Sequence, residues 1–189
     1  LSRKESKKAV IFGAGEQAKT QIEAISCVRE LESIKVIDPL EEKILALCEG
    51  LDPLVQPGSP QDLENADIIC TVTTAEKPLF DYNQIKTGVH INAVGSHKPD
   101  TRELSTALIQ NSKVYVDHLP ASKVEAGNIL IPILEEVYNW DNIEGELGEL
   151  VDEKINGRSA ESDITVFNSI GNAAQDLVIA AMVHENFLN

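Results

Sequence analysis

Short apolar runs rich in Val and Ile recur along the chain: AVIF from Ala9, IKVI from Ile34, DIIC from Asp67, VHINAV from Val89, KVYV from Lys113 and ITVF from Ile164. Runs this short and this β-branched predict buried strands. Between most of them the apolar positions shift to helical spacing, over residues 17–31, 41–49, 59–65 and 102–110. Strands that are apolar on both faces need cover on both, and short strand–helix–strand connections cross over with one hand. The pattern therefore predicts an α/β fold, a doubly wound and mainly parallel sheet with helices on either side.

The alternation weakens after Asp117. Residues 123–134 predict a turn of helix and then an irregular extended piece broken by Gly127 and Pro132, and residues 144–155 return to helical spacing. A last helix is expected over residues 172–187, with Ala173, Leu177, Ala180, Ala181 and His184 on one side. That stripe is expected to meet something outside this sequence. A strand so soon after Leu1 adds the expectation of a piece cut from a longer protein, all of it one sheet-based domain.

Composition narrows the function. The 189 residues are 42% hydrophobic and 25% charged, as in an ordinary globular domain. Acids outnumber bases 31 to 16, a net charge of -15 that argues against nucleic acid and against an anionic membrane surface. Cys27, Cys48 and Cys70 are odd in number and lack CxxC spacing, so buried thiols in a reducing compartment are expected. With no secretory signal and no membrane-length apolar run, the expected location is cytoplasmic. No spacing suggests a metal site, and no Ser-His-Asp or Cys-His pairing can be defended.

The chemistry starts at G-A-G-E-Q-A, Gly13 to Ala18, directly after the first strand. A helix that starts there points unpaired N–H groups and the positive end of its dipole outward, which suits an anion. Gly13 permits the tight turn, Gly15 lets a pyrophosphate approach the backbone, and Ala18 keeps helix and strand close, with Ala14, Glu16 and Gln17 completing the loop. Such a turn can also serve packing alone. Asp38 ends the second strand about 20 residues beyond Ala18, where a ribose-binding acid belongs. A carboxylate there accepts from a free 2′-hydroxyl and repels a 2′-phosphate, so NAD is expected over NADP. Asp38, followed by Pro39, would equally cap the helix starting near Glu41.

GAGEQAKTQ, then ADIICTVTTAEKPLF from Ala66, VHINAVGSHKPDTREL from Val89, EAGN from Glu125, GELGELVDEKINGR and DITVFNSIGNAAQDL together resemble the ornithine cyclodeaminase and mu-crystallin family. The resemblance runs from about Lys8 to about Val183. It implies a homodimeric enzyme in which this Rossmann-like domain holds the cofactor. A second domain, built mostly from preceding sequence, would bind the amino-acid substrate and receive the last helix.

Position by position, the resemblance places Gly13 to Ala18 on the pyrophosphate and Asp38 on the adenosine ribose. Thr71, Val72, Thr73 and Thr74 would lie along the cofactor near its nicotinamide end, as would Val94, Gly95 and Ser96. Ser169 and Gly171 resemble the turn before the last helix. His97 stands where cyclodeaminases carry an Asp that serves as base; an imidazole can still exchange a proton near neutral pH. That departure moves the expectation to an NAD-dependent oxidoreductase acting on a small amino or imino acid. The alternatives are a true ornithine cyclodeaminase and a non-catalytic nucleotide-binding module. Arg158 is read as a packing or surface residue, and Glu144, Glu146 and Glu149 as a solvated face.

Overall fold

The structure is a computed structural model and describes residues 1–188. Eight strands form one sheet: β1 (Lys8–Phe12), β2 (Ser33–Ile37), β3 (Val55–Pro57), β4 (Ile68–Thr71), β5 (His90–Ala93), β6 (Lys113–Val116), β7 (Ile143–Glu146) and β8 (Thr165–Asn168). They lie in the order β3-β2-β1-β4-β5-β8-β6-β7 and every pairing is parallel. The chain winds from β1 towards β3, returns to β4 beside β1, and then winds the other way. In open parallel sheets, ligands bind at the carboxyl ends of the strands flanking such a reversal, here β1 and β4.

The period-two alternation of the strands divides the core. Ala9 and Ile11 face one side, joined by Ile34, Val36, Ile68 and Cys70; Val10 and Phe12 face the other with Ile69, Ile91 and Val166. Helices α1 (Glu16–Val28) and α2 (Glu41–Glu49) cover the first face through Ala18, Ile22, Ile25 and Ile44. Helices α3 (Thr106–Gln110), α4 (Leu119–Glu125) and α5 (Gly127–Leu134) lie along the second half of the chain, and Leu108, Ile109 and Ile129 join the second face. Phe12 and Phe80 stack there with ring centroids 5.3 Å apart.

Several expectations need correction. The two edge strands β3 and β7 have no long apolar run and escape the pattern. Residues 123–134 are helical: α4 closes at Glu125, α5 opens at Gly127, and Pro132 lies inside α5. Pro132 is the sixth residue of an eight-residue helix, so it removes only one intrahelical N–H bond. Gly127 is required, because a Cβ would strike the carbonyl oxygens of Lys98 and Thr101. Residues 144–155 give β7 and a short helix, α6 (Leu147–Val151), rather than one helix. Residues 59–65 form a 3-10 helix over Pro60–Asn65. Cys27 is exposed, while Cys48 is half-buried and Cys70 buried.

The last helix, α7 (Ala173–Leu188), behaves unlike the rest. Leu177, Val178, Ile179, Met182, Val183 and Phe187 are all more than half exposed. Its apolar residues spread beyond the single stripe expected from the sequence.

Candidate functional site

At the glycine turn, Gly13 has φ of +100°, and a Cβ there would lie 2.6 Å from the carbonyl oxygen of Val72. Only glycine fits. Gly15, the N-cap of α1, has ordinary extended backbone, and a Cβ built on it meets nothing within 4 Å. Space is therefore open over the first turn of α1. No side chain caps this helix. The Ala14 N–H donates to Asp38 Oδ2 at 2.9 Å and the Ala18 N–H to the Gly15 carbonyl. Among the described residues, the N–H groups of Gly15, Glu16 and Gln17 meet no protein acceptor. Three free donors at the positive end of a 13-residue helix make an anion cradle.

Asp38 joins this turn to the next element. Its Oδ2 accepts from Ala14, and its Oδ1 accepts from the Leu40 N–H at 2.9 Å, just ahead of α2. Each oxygen keeps lone-pair capacity for a further donor. The bond to Leu40 is an Asx turn ahead of α2, whose N-cap is Leu40 with no side-chain cap, so Asp38 does not cap that helix and keeps room for a ribose donor.

Across the reversal point, the loops after β4 and β5 are joined by a residue the sequence reading overlooked. Glu103 is fully buried. Its Oε1 accepts from the Thr73 N–H at 2.8 Å and the Thr73 hydroxyl at 2.7 Å; its Oε2 accepts from the Thr71 hydroxyl at 2.7 Å and the Gly95 N–H at 3.0 Å. The backbone N–H groups of Glu103 and Leu104 donate to Asn128 Oδ1, and Asn128 donates to Asn168 Oδ1 at 2.8 Å. Gly95 fits because a side chain would hit the Thr73 backbone and Glu103 itself. Three of the expected ligand hydroxyls are therefore spent inside the protein, that of Thr73 among them. The Thr71 hydroxyl is spent on Glu103, and Ser96 is buried with its hydroxyl donating to the Thr101 carbonyl at 2.8 Å.

The turn after β8 has a similar brace. Asp117 Oδ2 accepts from the Ser169 hydroxyl and from the N–H groups of Ile170 and Gly171, at 3.0, 3.0 and 2.9 Å. Gly171 has φ of +86° and open space around it, and α7 follows.

These loops enclose a cavity of about 840 Å³. Gln17, Gln21 and Ala24 of α1 form one wall; Val72, Thr73, Thr74, Val94, Gly95 and His97 form the floor and rim; Phe167, Ser169, Ile170, Gly171, Gln175 and Asp176 close the far side. The glycine turn and Asp38 lie outside this chamber, on the β2 side of the edge. Gln21, Asn92 and Phe167 were not singled out by the sequence, because a helix glutamine and residues near the ends of strands carry no local signature.

His97 is exposed at the cavity rim, and its Nδ1 lies 3.1 Å from the Gly95 carbonyl oxygen. A carbonyl can only accept, so Nδ1 donates and Nε2 remains for exchange with a ligand. Two buried groups of the sheet, Cys70 towards the carboxyl edge and His90 at the amino edge, are held neutral. Burial pushes the Cys70 thiol up to about 12, helped by Glu103, so it is no nucleophile. Burial likewise lowers His90 to about 3; its ring meets Thr165 and Asn92. Arg158 has a packing role, donating to the carbonyls of Val89 and Asp163 and to the Thr165 hydroxyl. Among the described residues no group of three or more His, Cys, Asp or Glu could hold a metal ion, and no helix is long and apolar enough to cross a membrane.

Known proteins resemble this chain in sequence and fold. A Δ1-pyrroline-2-carboxylate reductase of Bacillus cereus is 35% identical over 192 residues, spanning 98% of this chain and 59% of its own length. The structure of the Thermococcus litoralis Δ1-pyrroline-2-carboxylate reductase in complex with NADH and L-proline superposes with a TM-score of 0.94 at 35% identity, over 100% of this chain and 60% of that one. An archaeal alanine dehydrogenase dimer with bound NAD gives 0.91 at 31% identity, over 100% of this chain and 59% of that one. The chain thus spans about three-fifths of the length of these relatives. The model of the ornithine cyclodeaminase/mu-crystallin family matches residues 1–189, and the chain belongs to that family.

Proposed function

We propose that this chain is the dinucleotide-binding part of an NAD-dependent oxidoreductase that reduces a small imino acid of the Δ1-pyrroline-2-carboxylate class. The observation that carries the reading is the uncapped first turn of α1, with open space over Gly15, beside the 840 Å³ cavity at the point where the sheet reverses direction. The likeness to a reductase solved with NADH and L-proline supports it.

The residues divide the work. The free N–H groups of Gly15, Glu16 and Gln17 hold the pyrophosphate, and Asp38 accepts from the adenosine ribose. The Asp38 carboxylate would repel a 2′-phosphate, which favours NAD. Val72 to Thr74 and Val94 to Gly95, which line the cavity, would hold the other end of the dinucleotide. When bound, the reduced nicotinamide supplies a hydride to the imine carbon. The substrate nitrogen needs one proton to complete the amine, and we assign it to the Nε2–H of His97 in its imidazolium form, which would leave the neutral Nδ1–H ring still bonded to Gly95. The side chains of Val72, Val94, Phe167 and Ile170 give that end an apolar lining.

The clamp for the substrate carboxylate belongs to sequence outside this chain, in a second domain against which α7 packs, and the working unit is a cytoplasmic homodimer. The alanine dehydrogenase relative favours a second reading, oxidative deamination of an open-chain amino acid. Assaying the full-length protein separates them. Consumption of NADH with Δ1-pyrroline-2-carboxylate is the expected result; NAD+ reduction with ammonia release from alanine would favour the second reading, and ammonia release from ornithine without net cofactor turnover would instead identify a cyclodeaminase. Calorimetric titration should show NADH bound more tightly than NADPH, and the reverse order would remove the role given to Asp38.

A further inference from the structure

Glu103 is unusual in how it is satisfied. Its side chain is fully buried, yet among the described residues no Lys, Arg or His forms an ion pair with it. A buried carboxylate normally needs a cation or several hydrogen bonds to stay charged. Here four donors do that work, and all four are neutral: two N–H groups and two hydroxyls. They satisfy both oxygens and bring no cation to the carboxylate. Three of the four groups belong to Thr73 and Gly95, which line the cavity directly, and the fourth to Thr71 at the end of β4. The negative charge thus lies one layer beneath that floor.

We propose that Glu103 is a positioning residue that locks the loops after β4 and β5 into one surface and, through its uncompensated charge, makes the site prefer the oxidised, cationic nicotinamide over the reduced, neutral ring. This rests on the dinucleotide reading above and deepens it. A hydride donor becomes a cation as it reacts, so a fixed negative charge beneath it stabilises the charge that develops. The effect is largest where the surroundings are poorly solvated, as they are behind Thr73 and Gly95.

Two variants of the full-length protein separate charge from scaffolding. Glu103→Gln keeps the size and removes the charge; the one hydroxyl that faces the new amide nitrogen can rotate to accept from it, and the backbone bond at that position is lost. Glu103→Asp keeps the charge and shortens the reach. Dissociation constants for NAD+ and NADH are measured by calorimetric titration on each. Glu103→Gln should weaken NAD+ relative to NADH by about tenfold, the order expected for a single charge in a part-buried site. Glu103→Asp should keep the wild-type ratio within about twofold even where both affinities fall. An unfolded fraction lowers the number of sites titrated and leaves the ratio unchanged. An unaltered ratio in Glu103→Gln, or an equal shift in Glu103→Asp, overturns the proposal while leaving the cofactor reading intact. Wild-type protein that binds neither dinucleotide overturns both.

Discussion

On the β2 side of the carboxyl edge the site is made by neighbours in sequence, whereas across β4, β5 and β8 it is held by side chains from distant segments. The anion cradle needs only Gly13 to Ala18 and one acid from the next strand. The cavity floor depends on Glu103, 32 positions from Thr71, and the rim on Asp117, 53 positions from Ile170. The first half is a backbone device that leaves donors free for a ligand. The second consumes its donors internally and offers a rigid wall. Changes in the two halves should therefore separate binding from stability.

The largest loss of stability is expected from Asn128→Ala, which strands the N–H groups of Glu103 and Leu104 and removes the link to Asn168. Buried donors left unpaired, together with the lost volume, should cost about 3 kcal/mol in urea denaturation. A loss below about 1 kcal/mol would mean that the floor is braced some other way.

Acid comes next. His90 is neutral in the folded protein because burial lowers it to about 3, while in the unfolded chain it titrates near the usual 6.5. The unfolded state therefore binds the proton first. Stability is fully present above pH of about 6.5 and falls as the pH drops towards about 3, by about 2 kcal/mol at pH 5. Melting curves of wild type and His90→Gln should show a shallower acid limb in the variant. Parallel limbs would assign acid sensitivity to other groups.

Asp117→Ala should cost less, about 1 kcal/mol, because the Ser169 to Gly171 turn is partly open to water that can replace the lost acceptor. Its clearer effect should be weaker NADH binding as the far wall loosens. On the other half, Gly15→Ala should leave the melting temperature nearly unchanged, since the new Cβ meets no protein atom. The same variant should reduce NADH affinity by at least about tenfold by filling the space over the cradle. A folded Gly15→Ala protein with undiminished affinity would remove the pyrophosphate from this turn.

The same contrast explains what the sequence made legible. The six long apolar strands, the glycine turn, Asp38 and the helix that follows are local patterns, and each can be read within a window of a few residues. The two edge strands were hidden because an edge needs little burial: Gln56 and Pro57 of β3 are exposed, and β7 carries Glu144, Gly145 and Glu146. Pro132 and Gly127 suggested an irregular piece because their helix-breaking tendency is intrinsic, while the close approach of α5 to Thr101 is tertiary. Glu103 stood in a quoted motif without a role, since nothing in T-R-E-L says that the acid points inward. Thr71 and Ser96 were assigned to a ligand for the converse reason: a small hydroxyl at a strand end reads the same whether it faces a cofactor or a buried acceptor.

α7 carries a practical consequence. Six large apolar side chains stand in water along one projecting helix, among them Phe187 at 86% exposure. Expressed by itself, this segment will clump through that rod, and trimming it or grafting polar residues onto it should yield a well-behaved sample for cofactor titration.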